Sequence, residues 1–430
     1  TGIRMCNQLL ENIDRVPDLD PELKKRYIGE AKVLRAYSYY ELYTKFGDIP
    51  YTTKVLSIKE SMSIARTAKA TVIANVLADL DEVINGNYLP TSYDADNKGR
   101  ITRWAAMAIK AKIYLFEGNW TQVKNITSTI MTEGGFKLFG SYAGLFEIAN
   151  EYNSEVILDA QYRPTSREHQ MMYVFLPPTL GGYSQLSPLQ ELVDSYIMLD
   201  GKTIKETGTS FDESHPYANR DPRLKATVMY TGNSYTLADG TEVVINCEKG
   251  EGKDGYGVGS DCSATGYYIK KYWDNTYRAT LYSGLNPILI RYADILLMNA
   301  EALAELGELD KTAWDATIKP IRDRAGFTLA SALEFPEGAS KDKLIEIVRN
   351  ERRSELALEG HRHKDIIRWR IADNVLNGWC HGLKTNDVVG TDDGYVRVEN
   401  RTFNANKHYL WPIPQAERDL NGNLEQNPNW

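Results

Sequence analysis

Residues 351–369, ERRSELALEGHRHKDIIRW, decide how the fold of this chain is interpreted. Glu351, Glu355 and Glu359 recur at a spacing of four, which stacks their carboxylates on one face of a helix. We expect this helix to run until Gly360 breaks it. Three arginines of the same stretch are placed to pair with the carboxylates: Arg352, Arg353 and Arg362. Two leucines are expected to face a core: Leu356 and Leu358. The pattern predicts an ion-pair network that holds a scaffold together, because buried charges must be paired.

Composition and charge describe a globular protein. The chain has 430 residues, of which 42% are hydrophobic and 25% charged, enough for a large core. Its net charge is -8 with Lys and Arg spread along the chain, which argues against nucleic acid as the main partner. No apolar run approaches the roughly 18 residues that span a bilayer. The chain opens on what reads as helix interior, so we expect native residues before Thr1.

The cysteine pattern leaves one question open. The four cysteines are Cys6, Cys247, Cys262 and Cys380, and no CxxC motif indicates a zinc ribbon or a redox site. Cys247 and Cys262 bracket a glycine-rich loop. A disulfide between them would stabilise the fold by roughly 3 kcal/mol and would imply an oxidising compartment. Two free thiols are the alternative.

Helical periodicity dominates the first third of the chain. Asp20 and Pro21 start a long helix over residues 20–46, and Gly47 stops it. Three more helices are predicted there: about 69–85, Thr102 to Glu117, and Trp120 to about Glu133. A helix, turn, helix unit is predicted at 291–325. Residues 111–120 weakly resemble residues 300–309, which favours helix pairs of tetratricopeptide type.

Residues 136–285 lose this periodicity and carry turn signals instead. Asp239 and Gly240, between SYTLA and TEVVI, predict a β-hairpin. We therefore predict a mainly α fold, with a tetratricopeptide-like scaffold and a loop-rich insertion containing short β-hairpins. The predicted single domain, 1–430, divides as follows: helical scaffold 1–135 and 286–375, irregular insertion 136–285, irregular C-terminal segment 376–430.

Five blocks in register carry a family resemblance. They are EAKVLRAYSYYELYTKFGDIPY (30–51), GRITRWAAMAIKAKIYLFEGNW (99–120), NPILIRYADILLMNAEALAELG (286–307), VRNERRSELALEGHRHKDIIRW (348–369) and YLWPIPQAERDLNGNLEQNPNW (409–430). Together they resemble the SusD/RagB family of Bacteroidetes outer-membrane lipoproteins, and the resemblance covers nearly the whole chain.

The resemblance implies a cell-surface lipoprotein that binds a nutrient, usually a glycan, without cleaving it. Such a protein delivers its ligand to a SusC-like, TonB-dependent outer-membrane transporter and needs no cofactor. Family members typically begin with a signal peptide and a lipid-anchor cysteine. Cys6, in RMCNQLL, follows no apolar stretch, so we do not interpret it as that anchor. A peptide-binding member of the family, or a transporter subunit without a ligand of its own, is the alternative.

Motifs for catalysis or metal binding are weak. His361 and His363 lie two residues apart, on different sides of a helix, whereas zinc-binding pairs are spaced by four. Residues 94–99 begin like a calcium loop, but Lys98 takes a ligand position and Ala105 stands where a bidentate Glu belongs. This excludes an EF-hand and leaves calcium elsewhere open. We expect a binding protein and not an enzyme.

The predicted ligand site lies in residues 266–287, GYYIKKYWDNTYRATLYSGLNP. Trp273 and Tyr277 offer aromatic faces to the apolar side of a sugar, while Asn275 and Arg278 offer hydrogen bonds to its hydroxyls. The family resemblance adds that this stretch often contributes to a glycan platform. The alternative is that Trp273 fills the insertion's own core. Two further candidates, Tyr173 and Tyr183, flank the Pro-Pro and Gly-Gly turns at residues 177–182.

Overall fold

The computed structural model describes residues 2–276 and 282–430 and is mainly helical, as predicted. Helices α1 to α17 are Gly2–Asn12, Pro21–Phe46, Ile58–Ser61, Lys69–Asn85, Arg103–Phe116, Trp120–Glu133, Met171–Phe175, Gln190–Ser195, Pro222–Thr227, Tyr292–Leu306, Lys311–Ala316, Ile318–Ala325, Ala330–Leu333, Lys341–Glu355, Arg362–Arg368, Ala372–Val375 and Gln415–Leu420. Strands β1 to β9 are Val156–Asp159, Val228–Met229, Ser234–Thr236, Glu242–Val244, Tyr268–Ile269, Ile288–Arg291, Gly378–Lys384, Thr391–Asp392 and Tyr395–Arg401. In the described ranges, no helix is both long and apolar enough to span a membrane.

Packing divides the chain into two compact units. Unit 1 consists of Thr1–Gly135, His363–Leu376 and Phe403–Trp430, and unit 2 of Phe136–Arg362 and Asn377–Thr402. The predicted boundary after residue 135 coincides with this division. The helices between residues 286 and 362, however, belong to the same unit as the loop-rich insertion.

Successive helices of unit 1 pack against each other, as the tetratricopeptide-like pattern predicts. Helix α2 contacts α1 and α4, and α5 contacts α4 and α6. The carboxylate of Asp20 accepts the backbone N–H of Leu23 at 2.8 Å and caps α2, which ends at Gly47 with φ 71°. Thr102 caps α5 in the same way. The first four predicted helices are therefore confirmed almost to the residue.

Unit 2 combines helices with short antiparallel strand pairs. Helix α10 is buried along nearly its whole length and packs on α11, α12 and α14. Strands β3 and β4 form the hairpin predicted around Asp239 and Gly240. The other pairs are β1 with β6 and β2 with β5. Aromatic and aliphatic side chains fill the core between these elements.

The C-terminal segment is more ordered than predicted. Residues 378–401 form a three-stranded antiparallel sheet in the order β7–β9–β8, so the prediction that 376–430 is irregular throughout is wrong. Few positions in β7 and β9 are buried. The alternation of apolar and polar residues that predicts strands is therefore weak here.

The run at 351–369 is interrupted earlier than predicted. Helix α14 ends at Glu355, and Leu358 adopts a left-handed backbone with φ 63°. Leu356 is buried as expected, but Leu358 is exposed, because the turn points it away from the core. Glu359 consequently lies beyond the helix and reaches its partners from a turn.

Candidate ligand-binding site

A buried charge network forms the rigid interior of unit 2. Its central member, Glu355, contacts Arg291 at 2.6 Å and Arg223 at 2.9 Å, and it also pairs with Arg324. The remaining members extend this centre on both sides. They are Glu155, Asp221, Lys271, Arg322, Glu351 and Glu359. These side chains are almost wholly withdrawn from solvent, so the network is a structural element of the fold.

The network's charges fix one another's ionisation. Burial alone would raise the pKa of Glu355, but Arg324, Arg291 and Arg223 outweigh that effect and hold its pKa below the ordinary value. Burial would likewise raise the pKa of Glu359, yet its partners lower it to about 2. Both carboxylates are therefore ionised at neutral pH and belong to the scaffold.

The predicted network exists, but the arginines that neutralise Glu351 and Glu355 are Arg223, Arg291, Arg322 and Arg324. Arg352 pairs with Asp294 at 2.6 Å, and Arg353 donates to the backbone oxygen of Glu191. The arginines that neutralise the glutamates come from distant parts of the chain. This is because the carboxylates point into the body of unit 2 and not along their own helix surface.

Trp273 is fixed between a supporting strand pair and the surface. Its ring is half-buried and lies 5.1 Å from the ring of Tyr235, at an interplanar angle of 60°. Its indole N–H donates to the backbone oxygen of Thr236 at 2.9 Å. The side chain thus packs on the insertion's core, as the alternative interpretation holds, and remains half-buried.

A buried aspartate ties together the Trp273 loop, defined as the described residues 273–276 and 282–283. The carboxylate of Asp274 accepts hydrogen bonds from the Thr276 backbone at 2.9 Å, the Thr276 hydroxyl at 2.6 Å and the Ser283 hydroxyl at 2.5 Å. Asn275 is half-buried next to it. The other two predicted residues, Tyr277 and Arg278, lie outside the described residues.

A backbone bridge joins this loop to the segment that carries Tyr173. His169 and Ser283 exchange two backbone hydrogen bonds of 2.9 Å, and the ring of His169 donates to the backbone oxygen of Leu285 at 2.7 Å. Helix α7, which contains Tyr173, begins two residues after His169. The two groups of candidates named from the sequence are therefore connected directly through the backbone.

Tyr173 and Tyr183 form a ring pair. Their centroids are 4.1 Å apart, and the backbone N–H of Tyr183 donates to the oxygen of Tyr173 at 2.9 Å. A hydrogen bond with Tyr183 raises the pKa of Tyr173 to about 12. The Tyr173 phenol therefore remains neutral near pH 7.

Two exposed aromatic residues of unit 2 escaped the sequence interpretation. Tyr282 is 45% exposed at the end of the Trp273 loop, next to Ser283. Trp379 is 43% exposed on β7, and the guanidinium of Arg397 lies 5.7 Å from its ring centroid. Tyr282 lies within residues 266–287, the stretch predicted to hold the site, so its closeness to Trp273 in the sequence could have identified it. Trp379 had no such signal, because its strand was not predicted.

The predicted disulfide between Cys247 and Cys262 is not formed, and all four cysteines are free thiols. Cys247 is buried in the core, and burial raises the pKa of its thiol. The thiol of Cys262 points to the backbone oxygen of Lys253 at 3.3 Å. Asp254 orders the loop instead, by accepting hydrogen bonds from the backbone and the hydroxyl of Thr179 at 2.8 and 2.6 Å.

Across residues 2–276 and 282–430, no group of three or more His, Cys, Asp or Glu side chains is arranged around a common point. Asp94, from the calcium-like stretch, accepts hydrogen bonds from the backbone and side chain of Asn97 at 3.0 and 2.9 Å. It thereby caps a short 3-10 turn.

Comparisons with known proteins agree along the whole chain. Residues 145–430 match the profile of the SusD family, and residues 1–115 match one described as starch-binding associating with outer membrane. SusD-like protein P25 of Formosa agariphila is 28% identical over 395 residues, covering 86% of this chain and 69% of that protein.

Solved structures share the fold. A SusD-like carbohydrate binding protein from Bacteroides fragilis is 29% identical, with a TM-score of 0.87 over 98% of this chain and 84% of that chain. A laminarin-binding SusD-like protein, 24% identical, has a TM-score of 0.68 over 100% of this chain and 84% of that chain.

Proposed function

Because the chain belongs to the SusD family, we propose that it captures a glycan at the cell surface and delivers it to a SusC-like, TonB-dependent outer-membrane transporter. The SusD family is a carbohydrate-binding family and not a family of enzymes. Association with the outer membrane is part of the family description. Attachment through an N-terminal lipid and the partnership with a transporter belong to the proposal.

The observation that carries the glycan assignment is the anchored indole of Trp273. Its N–H is already used by Thr236, so a ligand meets the aromatic ring and not the polar atom. Sugars present apolar C–H faces that pack on such rings, while their hydroxyls need separate polar partners. Asn275 supplies an amide two residues away in the sequence.

Rigidity of the support favours binding of a flexible chain. Asp274 closes the Trp273 loop from inside, and the hairpin β3–β4 holds the indole from below. A ring that is already fixed loses little conformational entropy when a ligand arrives. The Tyr173–Tyr183 pair follows His169, which is hydrogen-bonded to this loop at Ser283, and supplies two further aromatic rings. An open surface of this kind suits a polysaccharide.

The proposal is tested by native gels that contain a panel of neutral and acidic polysaccharides. Wild type, Trp273→Ala and Trp379→Ala are compared at equal folded fraction. Trp379 is the control because it is an exposed tryptophan of the same unit outside the proposed site. We expect one polysaccharide to retard the wild type and Trp379→Ala, and Trp273→Ala to migrate as in a gel without polysaccharide.

Two outcomes contradict the proposal. If no polysaccharide retards the wild type, the ligand is a peptide or the protein has no ligand of its own. A peptide library run on the same protein separates these alternatives. If Trp273→Ala is retarded as strongly as the wild type, glycan capture takes place elsewhere on the molecule.

A further inference from the structure

We infer that unit 1 carries a second ligand site, which takes an acidic sugar of the uronic acid type. A cavity of about 680 Å³ lies within this unit, between residues of α2, of α15 and of the C-terminal segment 409–428. Small-molecule sites in proteins have volumes of roughly 300–1,000 Å³. The inference goes beyond the proposed capture of glycan at Trp273 and does not depend on it.

Arg370 supplies the principal cation of this cavity. It follows α15 with φ 56°, a backbone conformation that glycine adopts at helix ends and that strains other residues. Its guanidinium stacks 3.5 Å from the ring centroid of Tyr409, whose hydroxyl donates to Asp373 at 2.9 Å. In the part of the chain that the structure describes, Arg370 forms no ion pair. The geometry holds an uncompensated guanidinium ready at the cavity.

Arg66 adds a second positive charge. Its guanidinium donates to four oxygens, all of them uncharged. They are the backbone oxygens of Asp48, Glu425 and Phe46 at 2.8, 2.9 and 3.0 Å and the side-chain oxygen of Asn427 at 2.5 Å. These bonds orient the guanidinium without cancelling its charge. Lys69 and Arg368 also line the cavity, but each is paired with a carboxylate, Lys69 with Glu117 and Arg368 with Asp365, both at 2.9 Å. Arg370 and Arg66 therefore carry the positive charge that a ligand would meet.

Aromatic side chains form the apolar part of the wall. The ammonium of Lys69 lies 5.4 Å from the ring centroid of Phe116 and 5.7 Å from that of Tyr43. Tyr43 is 1% exposed, and within the described residues its hydroxyl has no hydrogen-bond partner. Buried polar atoms without a partner are rare and often mark a missing ligand or water.

These features together specify the ligand class. Arginine binds carboxylates through paired, charge-assisted hydrogen bonds, so the cations call for a carboxylate. The ring of Phe116 calls for an apolar face, and the unpartnered hydroxyl of Tyr43 calls for a ligand hydroxyl. A uronic acid unit carries all three groups on one ring, whereas a bare anion carries only the first.

The test uses saturation-transfer NMR of sodium D-glucuronate with the purified protein, because this method detects weak ligands. D-glucose is the neutral counterpart, and Arg15→Gln is the matched control for Arg370→Gln, since Arg15 is an exposed arginine of the same unit. We expect glucuronate to bind wild type and Arg15→Gln. Arg370→Gln should weaken it about tenfold, as the loss of a charge-assisted bond predicts. Tyr43→Phe should also weaken it, at an unchanged melting temperature.

Three results would overturn the inference. A glucuronate signal no stronger than that of glucose would show that the cations do not contribute to binding. A signal that persists in Arg370→Gln places the ligand elsewhere. If acetate at equal concentration displaces glucuronate, the aromatic wall does not contribute to recognition of the sugar ring. Trp273→Ala, which tests the proposed function, should leave glucuronate binding intact, so the two proposals can fail separately.

Discussion

The charge network and the Trp273 loop, both in unit 2, use polar groups in opposite ways. Around Glu355, three arginines satisfy one carboxylate and leave no side open to solvent. Around Trp273, the carboxylate of Asp274 and the backbone oxygen of Thr236 accept hydrogen bonds, and the ring stays half-buried. A closed polar cluster supports the fold, and the proposed glycan site uses the half-closed one.

The largest expected effect comes from breaking the closed cluster. Glu355→Gln leaves buried guanidinium groups uncompensated, so we expect the free energy of unfolding to fall by about 3–5 kcal/mol. Glu346→Gln is the control on the same helix, because its pair with Lys343 is exposed and contributes at most about 1 kcal/mol. Urea denaturation measures both, and equal losses in the two variants would refute a structural role for the network.

Loosening the half-closed cluster should affect binding as well as stability. Asp274→Ala removes the acceptor of three hydrogen bonds that close the Trp273 loop. We expect affinity for the retained polysaccharide to fall about tenfold while the unfolding energy falls by about 1–3 kcal/mol. Asp239→Ala, in the exposed turn of β3–β4, is the control. Unchanged affinity in Asp274→Ala would show that the loop needs no such closure.

Lowering the pH should destabilise the charge network over a defined pH range. Burial of Glu359 is outweighed by Arg291 and Lys271, which lower its pKa from 4.5 to about 2. As pH falls, the unfolded chain therefore takes up a proton first, so the stabilisation is complete above about pH 4.5 and is lost toward pH 2. Glu359→Gln should show a shallower loss of stability across this range. Parallel pH curves for wild type and variant would contradict the assignment.

The smallest effect is expected at the glycine-rich loop. Since Cys262 is a free thiol, Cys262→Ser should change the unfolding energy by less than about 0.5 kcal/mol. Loss of a disulfide would instead cost roughly 3 kcal/mol. Thiol titration in denaturant without reductant should count four thiols per chain, and a count of two would restore the predicted cross-link.

The sequence predicts what is local and fails where partners are distant. The caps of α2 and the turn of β3–β4 depend on adjacent residues, so Asp20, Gly47 and Gly240 were enough to predict them correctly. Glu355 could be recognised as structural, but not its partner Arg291, which is separated from it by 64 positions. Helical spacing could not predict the left-handed turn at Leu358. Because of this turn, Leu358 is exposed and not buried as expected.

The candidate site shows the same division. The sequence alone shows that Trp273 carries an aromatic ring close to an amide side chain, because Asn275 is only two residues away. Its support by Thr236, 37 residues away, and the bridge between His169 and Ser283 depend on tertiary structure. For that reason the sequence named Tyr173 as a candidate but gave no reason to connect it with the Trp273 loop.

The central claim is tested most directly by calorimetric titration of the retained polysaccharide into wild type, Trp273→Ala and Arg353→Ala. Arg353 is half-buried and bonded to the Glu191 backbone, so its loss should lower the melting temperature and leave affinity unchanged. Trp273→Ala should bind at least about tenfold more weakly, since one aromatic contact is worth roughly 1–3 kcal/mol. Equal affinity of Trp273→Ala and wild type, or a loss of affinity in folded Arg353→Ala, would contradict the account.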